Sequence, residues 1–202
     1  MKLNEYFDKV YCINLERRND RWEKCKKQFD KLGIEVERFS AVDGSKLEYN
    51  NKTLLPGEIG IIRSNLELVK KAKENNYENI FIFEDDVEFT DEFNEKFENY
   101  VEQVPQDWCF LYLGGNHVGG TYPINKNLHK ITHSFAIHAF AINNKIYDII
   151  IEMLQKETEQ VDVTYAILQK TNPSYVFIPH LAWQAEDFSD IQETNVNYTF
   201  LK

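Results

Sequence analysis

Three consecutive carboxylates, Glu84, Asp85 and Asp86, directly follow the apolar run 80–83. A run that is apolar on both faces is typical of a central strand covered by helices. Open α/β sheets bind their ligands in the crevice beyond the carboxyl ends of the strands, so these acids are expected in such a crevice. Carboxylate oxygens suit a hard cation such as Mg²⁺ or Mn²⁺, which can bridge them to a diphosphate. The sequence therefore predicts a metal or ligand site here.

The main alternative is that these acids stabilise the N-terminus of the helix that follows. Thr90 and Asp91 already provide capping candidates for that helix, so the three acids are not needed as caps. Side chains alternate along a strand, which puts Glu84 and Asp86 on one side and Asp85 on the other. All three acids therefore need not touch the ion, and Glu84 and Asp86 are taken as the candidate metal ligands.

A cluster of arginines follows the first predicted strand. Three of the five arginines in the chain, Arg17, Arg18 and Arg21, lie within five residues. Guanidinium groups bind phosphate oxygens through paired hydrogen bonds, and Asn19, a favoured N-cap, would add the N-terminus of a helix. The alternative is an exposed turn that carries solvated charge. The segment is a candidate diphosphate site that needs support from a second motif.

One histidine has a position that suggests a metal ligand. His180 follows Pro179 beyond the end of a predicted strand. Because imidazole binds metals readily, we expect His180 to complete the metal shell of the carboxylates. A structural or exposed histidine is the alternative.

Apolar residues at strand spacing and at helix spacing alternate along the chain, which predicts an α/β fold. Gly33 is expected to end the first long helix, and the next helix is expected to begin after Pro56. Strands are predicted at 9–14, 36–42, 80–83, 109–113, 135–142 and 175–178. Helices are predicted at 22–32, 59–75, 93–104, 143–155 and 163–168.

Composition narrows the possible classes of protein. The 202 residues are 43% hydrophobic and 14% aromatic, which is too rich in core-forming residues for a disordered chain and suits one domain, 1–202. A net charge of -10 opposes binding to nucleic acid. The three cysteines are odd in number and widely spaced, as expected of reduced core residues. No apolar run approaches the roughly 18 residues of a membrane span, so a soluble, cytoplasmic protein is expected.

Several motifs occur in the order in which they occur in one known family. The stretch 13–21, Ile-Asn-Leu-Glu-Arg-Arg-Asn-Asp-Arg, resembles the opening motif of glycosyltransferase family 25, which includes lipooligosaccharide and collagen galactosyltransferases. The further matches are 39–44, 57–60 with Ser64, 83–87, and Gln184 with 189–191. The resemblance spans about residues 8–191.

The resemblance implies a single-domain, glycosyltransferase-A-like (Rossmann-like) fold, with a mixed sheet flanked by helices. It also implies a nucleotide-sugar donor and inversion at the anomeric carbon. The family commonly has histidine after the position of Ser64, and this chain has Asn65. The residues that the resemblance assigns to the nucleotide side are Asn14, Leu15, Arg17, Arg18, Arg21, Asp43 and Gly44, with Asp85 beside them in the acidic motif.

An inverting transfer needs a base that takes the proton of the acceptor hydroxyl. Asp162, at the start of a predicted short helix, and Asp190, in the last motif, are the candidates. Either can instead be an ordinary helix cap, because aspartate is a favoured N-cap.

The leading hypothesis is an inverting transferase that moves a sugar, galactose or glucose, from a UDP-sugar donor to a glycan or hydroxylated protein acceptor, with Mn²⁺ or Mg²⁺. One rival is a non-catalytic nucleotide-sugar or glycan-binding domain of the same fold. Another is a nucleotidyltransferase, but no glycine follows the first strand before Gly33, so its phosphate loop is missing. Sequence leaves the sugar, the acceptor, the linkage and the oligomeric state open.

Overall fold

A computed structural model describes residues 1–49, 53–189 and 194–196 of the chain. Within them, eight strands form one mixed sheet in the order β2-β1-β3-β8-β5-β9-β7-β6, and two pairs of short strands, β4 with β10 and β11 with β12, lie outside it. The strands are β1 (Lys9–Asn14), β2 (Glu37–Ser40), β3 (Asn79–Glu84), β4 (Val87–Phe89), β5 (Phe110–Tyr112), β6 (Thr121–Pro123), β7 (Leu128–Ile131), β8 (Ala139–Asn143), β9 (Ser174–Phe177), β10 (Ala182–Gln184), β11 (Asp187–Ser189) and β12 (Thr194–Val196). The helices are α1 (Leu3–Tyr6), α2 (Asn19–Leu32), α3 (Pro56–Glu74), α4 (Phe93–Val101), α5 (Tyr147–Leu154) and α6 (Val161–Gln169).

The direction of the strands brings the carboxyl ends of β1, β2 and β3 to one edge of the sheet. β1 pairs in parallel with both neighbours, with Ile13 opposite Phe39 and Glu84. β8 runs antiparallel to β3 and begins at the same edge, where the His138 carbonyl accepts a hydrogen bond from the backbone N–H of Glu84. Ligands of open α/β sheets bind at such an edge.

The central strands are apolar on both faces because helices cover each face. Along β3, Phe81 and Phe83 pack into one core with residues of α2 and α4. Ile80 and Ile82 pack into a second core with residues of α3, α5 and α6. The predicted α/β fold, a mixed sheet flanked by helices, is confirmed. Because the single-domain prediction, 1–202, includes residues outside the described ranges, it stays a prediction.

Helix ends agree with two predictions and correct two others. Gly33 ends α2 in the left-handed conformation, with φ 67°, and Pro56 occupies the first turn of α3. The N-cap of α2, however, is Arg18, not Asn19, which is already the first helical residue.

The predicted caps of α4 were wrong. α4 begins after Glu92, which has φ 60° and makes no side-chain cap, while Thr90 Oγ1 and the Asp91 carbonyl accept hydrogen bonds from Lys96 Nζ. The acids 84–86 lead into β4 and not into a helix. Helix capping therefore does not explain the three acids. The reason is that a strand follows them, and not that Thr90 and Asp91 cap α4.

The predicted strand 135–142 is shorter than expected, because β8 begins only at Ala139. Ala136 has φ 65°, a conformation that interrupts a strand, and the preceding Phe135 forms an isolated bridge with Asn116. The three cysteines are buried and free, as predicted. No helix among the described residues is both long and apolar enough to cross a membrane.

Candidate active site at the carboxyl edge of the sheet

A cavity of about 670 Å³ opens at the carboxyl edge of the sheet. The ends of β1 and β3, the N-terminal turns of α3 and α6 and the loops before β8 and after β2 all contribute to its wall. Of the residues predicted from the sequence, the cavity is lined by Leu15, Arg17, Arg21, Asp43, Gly44, Glu84, Asp85, Asp86 and Asp162. Motifs that lie far apart in the chain thus meet in one site.

One end of the cavity is a turn of ion-paired residues. Arg17 Nη1 lies 2.9 Å from Asp43 Oδ2, and Asp43 also accepts hydrogen bonds from the backbone N–H and hydroxyl of Ser45, at 3.2 and 2.7 Å. The Ser45 hydroxyl and the nearby Arg17 charge keep the pKa of Asp43 below its ordinary value. Arg17 keeps 45% of its side-chain surface exposed, so its guanidinium remains accessible to a ligand.

The loop that carries Asp43 is packed directly onto α3, which explains the glycines of two motifs. A Cβ atom on Gly44 would lie 1.7 Å from the Pro56 carbonyl oxygen, and one on Gly60 would lie 2.6 Å from the Val42 carbonyl oxygen. Ser64 fixes the same contact, because its hydroxyl accepts from the Val42 N–H at 2.9 Å and donates to the Gly60 carbonyl at 2.7 Å. Ser64 therefore positions the loop.

Asp85 is held by a buried network. Arg21 Nη1 lies 2.9 Å from Asp85 Oδ1, and Asn14 Nδ2 donates to Asp85 Oδ2 at 2.6 Å. The Asn14 amide oxygen in turn accepts a hydrogen bond from Arg38 Nε at 2.9 Å, and Arg38 stacks over the ring of Trp22. Because both oxygens of Asp85 have protein partners, its role is to hold the turn between β3 and β4 in place.

Two residues predicted on the nucleotide side are not among those that line the cavity. Asn14 is buried and reaches the site only through Asp85. Arg18 points its guanidinium at Asp20, with Nε–Oδ1 and Nη2–Oδ2 distances of 3.1 and 3.0 Å. As the residue before α2, Arg18 contributes its backbone carbonyl, which accepts from Asn14 Nδ2 at 3.0 Å. In the described structure these two side chains support the site from behind its wall, and their direct contact with the donor stays a prediction.

Glu84 and Asp86 form the acidic part of the cavity. Burial, and then the charges of the neighbouring aspartates, raises the pKa of Glu84 well above its usual range. Burial and the charge of Asp85 raise the pKa of Asp86 to about 6. Gln184 Nε2 donates to Glu84 Oε2 at 3.2 Å, and Asp86 Oδ1 is buried with no hydrogen-bond partner among the described residues. A buried acceptor in this state is what an added cation or donor would satisfy.

Asp162 faces these acids from the first turn of α6. Its carboxylate accepts a hydrogen bond from the backbone N–H of Val163 at 2.9 Å, and the backbone of Ala136 lies close enough to favour its charged form. Burial raises the pKa of Asp162, and its charge contributes to the raised pKa of Glu84. The predicted base therefore lies within electrostatic reach of the predicted metal ligands.

The carboxylates fit a divalent cation only in combination with a ligand. No group of three or more His, Cys, Asp or Glu side chains in the described part of the chain is arranged to hold a metal ion. Mg²⁺ is often held by one or two carboxylates together with substrate phosphates, and Glu84 and Asp86 match that pattern. The described cavity wall also carries six carboxylates and only two guanidinium groups, so it favours an added cation.

His180 does not join this group. It is not among the described residues that line the cavity, and its Nε2 lies 2.9 Å from Nε2 of His117. The expectation that His180 completes the carboxylate metal shell is therefore corrected. The second candidate base, Asp190, lies outside the described residues.

The polar residues of the wall that sequence reasoning did not assign to the site include Glu58, Asn116 and Gln160. Glu58 Oε2 accepts from the N–H of Leu55 at 2.7 Å, and Glu58 Oε1 accepts from Gln160 Nε2. The position of Glu58 in the 57–60 motif, directly after Pro56, was the available indication. The sequence around Gln160 and Asn116 gave no indication of a role in the site, because only the fold brings their loops to this edge of the sheet.

Asn65 stands where the family commonly has histidine. It is fully buried, donates to the Ile61 carbonyl at 3.0 Å and accepts from the Tyr165 hydroxyl at 3.1 Å. Its amide therefore serves the contact between α3 and α6 and does not line the cavity.

Comparisons with known proteins identify the family of the chain. The sequence profile of glycosyltransferase family 25 (LPS biosynthesis protein) matches residues 7–150. A glycosyltransferase 25 family member of Aedes aegypti is 33% identical over 129 residues, which are 52% of this chain and 21% of that protein. Human procollagen galactosyltransferase 2 is 30% identical, over 54% of this chain and 21% of its own length.

A third relative is named a probable inactive glycosyltransferase 25 family member 3, from Bos taurus. It is 29% identical over 55% of this chain and 22% of its own length. The chain thus spans about a fifth of the length of the curated relatives it matches.

Among solved structures, a glycosyltransferase involved in the glycosylation of the major capsid of PBCV-1 is similar, with a TM-score of 0.42 and 10% identity. That similarity covers 75% of this chain and 67% of the other. The family profile matches well over half of the chain, in the region that carries the first four motifs. The predicted family is confirmed, and the chain belongs to glycosyltransferase family 25.

Proposed function

We propose that this chain transfers a hexose from a UDP-sugar to a hydroxyl group of a glycan or hydroxylated protein acceptor, with inversion at the anomeric carbon. The observation that carries the proposal is the meeting of the Arg17–Asp43 turn, the Glu84 and Asp86 carboxylates and Asp162 in one cavity. This arrangement supports a nucleotide at the turn, a cation at the two carboxylates and Asp162 as the base.

The donor would lie with its nucleotide toward the Arg17–Asp43 turn. Apolar residues, including Ile13, Leu15 and Ile61, line that part of the wall and suit the flat face of a base. Arg17 is exposed enough to reach a phosphate while it remains paired with Asp43.

The diphosphate would lie near Glu84 and Asp86, which would hold Mn²⁺ or Mg²⁺. When bound, the ion supplies positive charge for the departing diphosphate. Asp85, tied to Arg21 and Asn14, keeps the turn that carries Asp86 fixed, so the acids do not need to rearrange when a ligand arrives.

Asp162 would act as the base. Its raised pKa makes its carboxylate a better proton acceptor than an exposed aspartate, and the N–H group of Val163 fixes its orientation. The proton of the acceptor hydroxyl would pass to the Asp162 carboxylate as the new glycosidic bond forms.

Galactose is our first choice of donor sugar, with glucose second. Relatives named procollagen galactosyltransferase support this order, and also an acceptor on a hydroxylated protein. The lipopolysaccharide description of the family supports a glycan acceptor equally well.

The test is release of UDP from UDP-galactose and UDP-glucose, measured with and without Mn²⁺. Asp86→Asn should abolish the metal-stimulated release, whereas Asp91→Asn, a matched change at an exposed aspartate, should leave it intact. Equal metal-stimulated release by the wild type and by Asp86→Asn would rule out the assignment of Asp86.

A non-catalytic binding domain of the same fold is the second candidate. The relative named as probably inactive favours it. Binding of UDP by calorimetry without turnover, over a panel of donors and acceptors, would support this alternative.

A further inference from the structure

Outside the cavity, two histidine rings face each other through the same type of nitrogen. His117, in the loop after β5, and His180, after β9, have their Nε2 atoms 2.9 Å apart. Their rings are nearly perpendicular, at 77°, with centroids 5.0 Å apart. Both side chains are half-buried, so a small solute can reach them.

The Nδ1 atom of His117 is fixed by a hydrogen bond on the side away from His180. His117 Nδ1 forms a hydrogen bond with the Ser134 hydroxyl. Ser134 is fully buried and fixed in turn by Gln169, whose Oε1 accepts from the Ser134 N–H at 2.7 Å and whose Nε2 donates to the Tyr112 hydroxyl at 2.9 Å. The orientation of the His117 ring is therefore set by the protein core before any ligand arrives.

The surroundings keep the His117 imidazole neutral. Burial, and then the neighbouring rings of His180, His138 and His129, lowers the pKa of His117 to about 4. Burial also lowers the pKa of His138 to about 4. Neutral imidazole is the form that binds metals, and no positive charge of a histidinium then repels a cation.

We propose that His117 and His180 together bind one transition-metal ion of the zinc type, separate from the carboxylate site. The two Nε2 atoms are hydrogen-bonded to each other at 2.9 Å, and an ion between them would replace the proton that they share. The Ser134 hydroxyl at Nδ1 of His117 provides the outer hydrogen bond that metal-bound histidines usually have. Nitrogen ligands suit Zn²⁺, Ni²⁺ or Cu²⁺, whereas the carboxylates of the cavity suit Mg²⁺ or Mn²⁺.

The change needed for binding is small. Zinc–nitrogen bonds of about 2.0–2.1 Å at a tetrahedral angle put the two nitrogens about 3.3 Å apart. The rings must therefore separate by about half an ångström from their present distance. Each ring then keeps its single proton on Nδ1, where His117 donates to Ser134, and both Nε2 lone pairs bind the ion. Water would take the other positions on the ion.

Such an ion would act on the cavity wall through the backbone. Asn116, next to His117, lines the cavity and is bridged to Phe135, which also lines it. A metal that joins His117 to His180 would tie this wall to the segment that leads into β10.

The test is Zn²⁺ binding to the full chain after removal of metals with EDTA, by calorimetry, in an Asp86→Asn background that disables the carboxylate site. We expect one Zn²⁺ per chain. His117→Gln and His180→Gln should each weaken the affinity at least about tenfold, and Ser134→Ala about 10- to 100-fold. The matched control, His129→Gln, removes a histidine that bonds to Thr121 and should leave the affinity unchanged.

Absence of Zn²⁺ binding in the Asp86→Asn chain, or equal affinity in His117→Gln, His180→Gln and His129→Gln, would overturn the proposal. If the His117→Gln or His180→Gln chain does not fold, the visible spectrum of the Co²⁺-loaded Asp86→Asn chain decides. Bands of nitrogen-ligated tetrahedral Co²⁺ are expected, and a spectrum of hexa-aqua Co²⁺ alone would contradict the site. These measurements use no sugar donor, so they stand apart from the test of the transferase.

Discussion

The two ends of the cavity differ in how their charges are balanced. At the arginine end, each guanidinium has a carboxylate partner: Arg17 pairs with Asp43, and Arg21 pairs with Asp85. At the acidic end, Glu84, Asp86 and Asp162 mainly have amide and backbone partners, and Arg21 approaches Asp86 only to 3.8 Å.

The difference indicates where the missing positive charge must come from. Both arginines already balance a carboxylate, so they add little net positive charge for a diphosphate, although the exposed Arg17 can still contact one phosphate. The raised pKa values of Glu84, Asp86 and Asp162 reflect the cost of keeping buried acids close together, which a bound cation would offset.

The largest effect is expected at Asp162, on the acidic side. Asp162→Asn keeps an acceptor oxygen for the backbone but cannot take a proton, so kcat should fall about 10²- to 10⁴-fold with little change in KM for the donor. Steady-state kinetics measure both quantities. Glu159→Gln, at an exposed acid three residues earlier, is the control and should leave both unchanged. A kcat within about twofold of wild type for Asp162→Asn would remove Asp162 from the reaction.

The second effect tests the buried ion pair between Arg21 and Asp85. Arg21→Met leaves the buried Asp85 charge without its main partner and should lower the free energy of unfolding by about 3–5 kcal/mol, measured by urea denaturation. Arg18→Met breaks the Arg18–Asp20 pair, whose aspartate is largely exposed, and should cost less than about 1 kcal/mol.

The Arg21→Met/Asp85→Leu double variant removes both charges and should recover much of the loss. If Arg21→Met and Arg18→Met lowered the free energy of unfolding by the same small amount, the buried Arg21–Asp85 pair would be no more important than the exposed Arg18–Asp20 pair.

The third effect follows from the pKa of Asp86, about 6 in the folded protein against about 3.9 in the unfolded chain. Between these values the folded state holds more protons than the unfolded state, so the contribution of Asp86 to stability falls as the pH rises from about 4 to about 6.

Without added metal, Asp86→Asn should therefore match wild type near pH 4 and exceed its stability by about 1–3 kcal/mol above pH 6. Mn²⁺ should close that gap. Denaturation curves across this pH range provide the measurement, and a gap that shrinks with rising pH would contradict the burial of a charged Asp86.

The smallest effect separates two neighbouring arginines. Arg17 lines the cavity, and Arg18 is turned toward Asp20. Arg17→Ala should weaken UDP binding several-fold in calorimetry, by the loss of one exposed phosphate contact. Arg18→Ala should leave UDP binding within about twofold. The reverse order would mean that Arg18, not Arg17, faces the donor.

The fold was predictable where the pattern was strong. β1 was predicted with its observed bounds and β3 to within one residue, because their apolar runs suit strands buried on both faces. Short strands such as β4, β6 and β10 were missed, since three residues carry too little periodicity to be recognised. The apolar residues before β8 predicted a longer strand. The positive φ at Ala136, which interrupts it, leaves no mark in the hydrophobic pattern.

For the site, the residue types were predictable and the partners were not. The sequence indicated that Glu84 and Asp86 differ from Asp85, and the structure separates them by their partners. Which arginine reaches the cavity depends on the start of α2, where a shift of one residue makes Arg18 the N-cap. The pairing of His180 with His117 joins segments 63 residues apart, which local patterns do not reveal.

The contact of Gly44 with Pro56 has a consequence for how the sequence can change. With a Cβ atom only 1.7 Å from a backbone oxygen, no side chain fits at position 44 while α3 stays in place. Any substitution there must move the whole first turn of α3, and with it Glu58. The position of the Pro56 backbone therefore excludes every residue except glycine at position 44. Random mutagenesis with selection for a folded, ligand-binding chain should return only glycine there.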